Sequence, residues 1–206
     1  MNIKYSEPAE YNTIFPSYLE LINSSTVIDT VFDLGCNVGA FINLTKKYIP
    51  SVQKIICFEP DIDNFNYIKD QNYSNVKLHN IGIYYGAEES FVNGVGDNNI
   101  GGYMVSAIEK EHIENWGSMV HQYDAKVFKL KTLEEFTKNE SLDLIKIDVE
   151  ASEYNILDNS TDLQKFKWII LECHNHNFDY YINYVKKALP THEIVANTND
   201  HFLLKK

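Results

Sequence analysis

The chain alternates short apolar blocks with stretches in which apolar residues recur at helical spacing. Residues 31–34 and 54–58 are near-continuous apolar runs, the pattern of strands buried on both faces of a sheet. A helical pattern follows each: 39–48, stopped by Pro50, and a second opened by Asp61 with Phe65 and Ile68 facing inward. Further strands are predicted at 76–79, 142–149 and 168–172, with helices at 132–138 capped by Thr132, at 153–157 and at 178–189. Such alternation predicts an α/β fold with a mostly parallel sheet and right-handed crossovers. Upstream, residues 14–23 have helical spacing after Pro16, so residues 1–30 are expected to carry a short helical cap. At the other end, 192–196 and 201–204 flank a turn of Asn197, Thr198, Asn199 and Asp200, which predicts a closing antiparallel hairpin.

One segment breaks the rhythm. Between residues 83 and 126, Gly86, Gly94, Gly96, Gly101 and Gly102 interrupt β-like pieces, and this stretch is read as an irregular insertion, a lid or a dimer arm. In the second case the protein would be a homodimer. Tyr84, Tyr85, Tyr103 and Trp116 lie in or beside it, where they either pack a flap or stack on a ligand ring. Strand pattern resumes at 126–131.

The chain has 206 residues, enough for a single domain (1–206) to bury a full sheet between helices. No apolar stretch is long enough to span a bilayer, and the first dozen residues, with Glu7, Pro8 and Glu10, do not read as a signal peptide. A cytoplasmic protein with no membrane partner is therefore expected. A net charge of -11 without a basic stripe disfavours nucleic acid as a bulk partner. Cys36, Cys57 and Cys173 match no zinc or redox spacing and are read as small buried hydrophobes.

Chemistry concentrates where strands end. Val31-Phe-Asp-Leu-Gly-Cys-Asn-Val-Gly-Ala-Phe41 breaks from strand to helix through Gly35 and Gly39, which permit close backbone approach to a ligand. Asn37 and Ala40 stand where a dinucleotide fingerprint requires glycine, so a pyrophosphate cofactor is not expected. Asp33 would face a cationic amino-acid or sulfonium group, Glu59 a ribose diol, and Asn37 would orient the loop or contact the methionine moiety. Asn80, past the third strand, either approaches an adenine or serves a turn. This set favours S-adenosylmethionine over NAD, with S-adenosylhomocysteine as product.

The second cluster is Asp143-Leu-Ile-Lys-Ile-Asp-Val-Glu-Ala-Ser-Glu153. Methyl transfer from a sulfonium is an in-line displacement, and a hydroxyl acceptor needs its proton withdrawn. Asp148 is best placed to do so. Strand alternation puts Lys146, Asp148 and Glu150 on one face, so Lys146 either holds Asp148 ionised, orients an acceptor oxygen or forms a structural ion pair. Glu153 is a helix cap or a functional group. His174, sharing a face with Glu172, is the other natural base. Asp148, Glu172 and His174 would also accept Mg or Mn, although no metal ligand is assigned.

These blocks, with Phe58-Glu-Pro60, Thr132-Leu-Glu-Glu-Phe136 and Ile170-Leu-Glu-Cys-His174, resemble the FkbM-type methyltransferase family, in its order and over about residues 30 to 175. The Ile-Lys-Ile-Asp-Val-Glu block is the most specific. The resemblance implies the Rossmann-like class I methyltransferase sheet of seven strands and O-methylation of a small molecule, most simply a sugar, nucleotide-sugar or glycan precursor. An RNA or cap-ribose methyltransferase and a non-catalytic cofactor-binding module are the competing expectations. Two departures stand out: Ala151 where the family usually has Gly, and Glu134 where Asp commonly follows Leu.

Overall fold

The computed structural model describes residues 10–94, 103–105, 126–150, 152–174, 178–198 and 200–206. Its main sheet has seven strands: β1 (Thr30–Leu34), β2 (Lys54–Phe58), β3 (Val76–His79), β8 (Leu144–Ile147), β9 (Trp168–Glu172), β10 (Glu193–Asn197) and β11 (His201–Lys205). Their spatial order is β10, β11, β9, β8, β1, β2, β3. All pairs are parallel except those of β11, which runs antiparallel to both β9 and β10. The order reverses between β1 and β8. In an open α/β sheet, such a switch point opens a crevice at the carboxyl ends of the strands.

The helices cover both faces because the central strands are apolar on both. Phe32, Leu34, Phe58, Ile145, Ile147 and Phe166 belong to one buried cluster, and Val31, Ile55, Cys57, Leu144, Trp168 and Ile170 to the other. α2 (Ala40–Tyr48) and α3 (Ile62–Asp70) follow β1 and β2. Asp61 caps α3, its carboxylate accepting from the amides of Asp63 (2.7 Å) and Asn64 (3.3 Å), as its position before the apolar repeat predicts. α4 (Glu134–Thr137) and α5 (Glu153–Asn159) flank β8, and α6 (Phe178–Ala188) precedes the closing hairpin. All three cysteines are free and buried.

Two expectations need correction. The N-terminal helix α1 (Glu10–Ser25) starts upstream of Pro16 and contains it. Proline removes one backbone donor, but the apolar face of Tyr11, Phe15, Tyr18, Leu19 and Ile22 is buried along the whole helix, and that burial outweighs one lost hydrogen bond. Thr132 does not cap α4 through its side chain; no side-chain cap is made, and the Thr132 amide donates instead to Glu135 Oε1 at 3.2 Å. Residues 126–131 form β7 (Lys126–Lys131), which stands outside the main sheet. It pairs parallel with β4 (Gly82–Ile83) and antiparallel with β5 (Glu89–Gly94), which pairs with β6 (Tyr103–Val105). Trp116 and the remainder of the expected insertion lie outside the described residues, as does Ala151.

Candidate active site

The glycine loop meets the second cluster directly. Gly35 has φ +77°, and a Cβ built there would lie 1.9 Å from the carbonyl oxygen of Asp148. Only glycine lets these two segments touch. Asn37 and Gly39 are also left-handed, at φ 48° and 84°. The Asn37 amide donates to Glu59 Oε2 at 2.7 Å, and the Asp61 amide to Glu59 Oε1 at 3.0 Å. Glu59 thus clamps the loop after β1 to the turn after β2. Burial pushes its carboxyl up to about 8. Asn80 braces the same turn, its side-chain amide donating to the carbonyls of Glu59 and Pro60 at 2.9 Å each.

Beneath the loop lies a buried ion cluster. Lys146 Nζ is 3.0 Å from Asp148 Oδ2 and 3.5 Å from Asp33 Oδ1, and donates to the Gly35 carbonyl at 2.9 Å. Asp33 and Lys146 are both fully buried, and neither Asp33 oxygen accepts a hydrogen bond. Asp33 is therefore the counter-ion of Lys146 under the loop. Its register explains the placement: Asp33 pairs laterally with both Lys146 and Cys57, all pointing to one face. Phe41 covers that face, its ring centroid 5.9 Å from Nζ, and the Tyr11 hydroxyl lies within the field of Lys146, Asp148 and Asp33.

Asp148 is partly open, with 14% side-chain exposure. Burial raises its carboxyl to about 6, while Lys146 opposes that rise. A carboxylate ionised at neutral pH yet more basic than usual is what a general base requires. The expected shared face of Lys146 and Asp148 is present, but Glu150 leaves the strand. Its backbone is left-handed at φ 51°, which swings its carboxylate to 3.5 Å from His174 Nε2.

His174 sits among carboxylates. Nδ1 is 2.9 Å from Glu153 Oε1, and Nε2 is 3.3 Å from Glu172 Oε1. Glu153 and Glu172 push the imidazole up to about 12 against the opposing effect of burial. The surrounding carboxylates thus favour the protonated form of the ring. Asp148, Glu150 and His174 bring ligand atoms to within 4.8 Å of one another, a donor set that can hold a cation, and no step is assigned to one. Glu172 also meets His201 Nε2 at 3.3 Å, a contact invisible in the sequence because it depends on the antiparallel register of β11 on β9.

Most of the site's shifts share one sign. Glu59 and Glu150 are raised to about 8, Asp148 to about 6 and His174 to about 12. A folded pKa above the unfolded one contributes stability at low pH that is lost as pH rises through the folded value, by about 1.4 kcal/mol per pH unit per fully linked group. Glu172, Asp143 and Asp162 are lowered, which removes stability only below their unfolded values. Thermal denaturation should therefore show maximal stability near pH 5–6 and a steady fall towards pH 9. A transition temperature that is flat or rises over this range would contradict these assignments.

The model of the methyltransferase FkbM domain matches residues 33–199. The chain belongs to the FkbM methyltransferase domain family. Among solved structures, the methyltransferase FkbM of Methylobacillus flagellatus KT is similar over 87% of this chain, with 14% identity and a TM-score of 0.55. This chain covers 44% of that protein. Precorrin-6y C5,15-methyltransferase of Geobacter metallireducens GS-15 is similar over 98% of this chain and 93% of its own (9% identity, TM-score 0.51). A proposed RNA methyltransferase of Pyrococcus horikoshii is similar over 100% and 92% respectively (9% identity, TM-score 0.53). These likenesses concern the fold, which is the class I methyltransferase sheet read from the sequence. No curated protein matches the sequence. Among the described residues no helix is long and apolar enough to cross a membrane.

Proposed function

We propose that the protein transfers the methyl group of S-adenosylmethionine to a hydroxyl of a small molecule, a sugar, nucleotide-sugar or glycan precursor. The observation that carries this reading is the contact of the glycine loop with the Asp148 segment, which brings a cofactor cradle and a candidate base to one crevice. Glu59 would hydrogen-bond the ribose hydroxyls. No side chain caps α2, so its first-turn amides suit the cofactor's carboxylate. The cofactor supplies an electrophilic methyl group. Asp148, ionised above about pH 6, takes the acceptor's proton as the oxygen attacks in line. Lys146 keeps the Asp148 carboxylate ionised and fixed, and His174 with Glu150 borders the acceptor side.

Replacing Glu59 with Gln swaps one acceptor oxygen for a donor facing a backbone N–H. S-adenosylmethionine should then bind about 10–100-fold more weakly, about 1.4–2.8 kcal/mol, while NAD shows no binding to either form. An unchanged dissociation constant would remove Glu59 from the cofactor site. The acceptor class is tested by following label from methyl-labelled S-adenosylmethionine into monosaccharides, nucleotide-sugars and short single-stranded RNA. Label on a sugar hydroxyl is the expected result. Label on RNA alone would overturn the small-molecule reading, which the chain's net charge of -11 and its lack of any arginine support.

A further inference from the structure

Asp148, Glu150 and His174 reach one point of the crevice from separate places in the chain. Asp148 follows β8, Glu150 is turned off the strand line by its left-handed backbone, and His174 follows β9. Each offers one ligand atom, and these atoms all lie within 4.8 Å of one another. All three side chains keep some exposure, so an ion has a way in. The orientation of the imidazole is set from behind: Nδ1 lies 2.9 Å from Glu153 Oε1, which leaves Nε2 towards Glu150 and Glu172 at 3.5 and 3.3 Å. A carboxylate on the far nitrogen is the usual support of a metal-ligating histidine. Glu153 adds an independent observation. Its side chain is fully buried, yet Oε2 has no hydrogen-bond partner. A buried carboxylate oxygen left unpaired is costly unless positive charge beside it offsets the loss of water.

We propose that Asp148, Glu150 and His174 bind a divalent cation of the Mn²⁺ class, with Glu153 orienting the imidazole behind it. Two carboxylates with one imidazole suit a first-row divalent ion better than Mg²⁺ or Ca²⁺, which prefer oxygen alone. Lys146 occupies Asp148 Oδ2 at 3.0 Å, so Asp148 ligates through its other oxygen. The negative field of Glu150, Glu153 and Glu172 that attracts a proton to His174 equally attracts a metal ion, and ligation through Nε2 releases that proton to solvent. Three protein ligands leave positions open for water or for an acceptor's hydroxyl. Ion binding stands apart from the methyltransferase reading; the use of the ion, to hold the acceptor's hydroxyl next to Asp148, rests on it.

The test is calorimetric titration of MnCl₂ alone into the full chain at neutral pH, repeated with MgCl₂ and with the variants E150Q, H174Q and E153Q. The wild type should bind one Mn²⁺ with a dissociation constant below about 10⁻³ M, the weak end of specific divalent sites, and Mg²⁺ more weakly. E150Q and H174Q should each weaken Mn²⁺ binding by at least about tenfold, and E153Q by about 10–100-fold through the ring it orients. No saturable binding in the wild type would overturn the proposal. So would equal affinity in wild type, E150Q and H174Q, which would mean that ions gather only on the acidic surface of a chain of net charge -11. Should H174Q or E153Q not fold, E150Q decides, since Glu150 keeps 30% side-chain exposure. S-adenosylmethionine titrated into the same sample separates the two claims. Cofactor binding without Mn²⁺ binding sinks only the ion site, whereas Mn²⁺ binding without cofactor binding sinks the methyltransferase reading and leaves the ion site standing.

Discussion

Replacing Lys146 with methionine is expected to cost about 3–5 kcal/mol of folding free energy at pH 8, because it leaves a buried charge cluster without its cation. Lys146 is fully buried, and Asp33 and Asp148 lie 3.5 and 3.0 Å from its ammonium. Asp33 accepts no hydrogen bond that would sustain its charge alone. Methionine fills similar volume, so the cost reports charge more than cavity. The loss should depend on pH with a definite sign. Without Lys146 both carboxyls move further up, so the variant keeps stability at low pH and loses it as pH rises through those raised values. Urea denaturation at pH 5 and pH 8 should show a much smaller deficit at pH 5. A deficit under about 1 kcal/mol at pH 8 would mean that the cluster tolerates an absent cation and that Lys146 does not organise it.

Replacing Asp148 with Asn should lower the rate of methyl transfer by about 10²–10⁴-fold, the usual contribution of a general base, and leave S-adenosylmethionine affinity within about threefold, under 0.7 kcal/mol. Asparagine keeps the shape and a polar contact to Lys146 but cannot take a proton at neutral pH. In the wild type, kcat/KM should rise with pH along a limb whose apparent pKa is near 6, following the Asp148 carboxyl, and this limb should vanish in the variant. Turnover within threefold of the wild type would remove Asp148 from the chemistry. Loss of cofactor binding together with turnover would instead make it part of the cofactor's support.

Much of this was legible before any coordinates. Buried strands announce themselves by continuous apolar runs, and the glycines at 35 and 39 by the turn they permit, so sheet, crevice and glycine loop follow from local pattern. What stayed hidden depended on distance in sequence. Asp33 reads as a ligand group because a charged residue inside an apolar strand suggests function. Its partner, Lys146, is supplied by a strand 113 residues away through register alone. His174 reads as a neutral base because an isolated histidine titrates near neutrality. Three glutamates from the turn after β8, from α5 and from β9 converge on it only in the fold. Glu150 extends the strand in the pattern but not in space, since a period-two reading cannot foresee a left-handed residue. Pro16 hides the first turns of α1 because propensity argues locally, whereas the Tyr11 and Phe15 rings, 4.8 Å apart edge to face, are held by tertiary burial.

The most direct test of the central claim is calorimetric titration of the wild-type protein with S-adenosylmethionine and S-adenosylhomocysteine, with NAD as control. Dissociation constants in the micromolar range, about -8 kcal/mol, for the two sulfur ligands and none for NAD are the expected result. A folded sample that binds neither sulfur ligand would contradict the account.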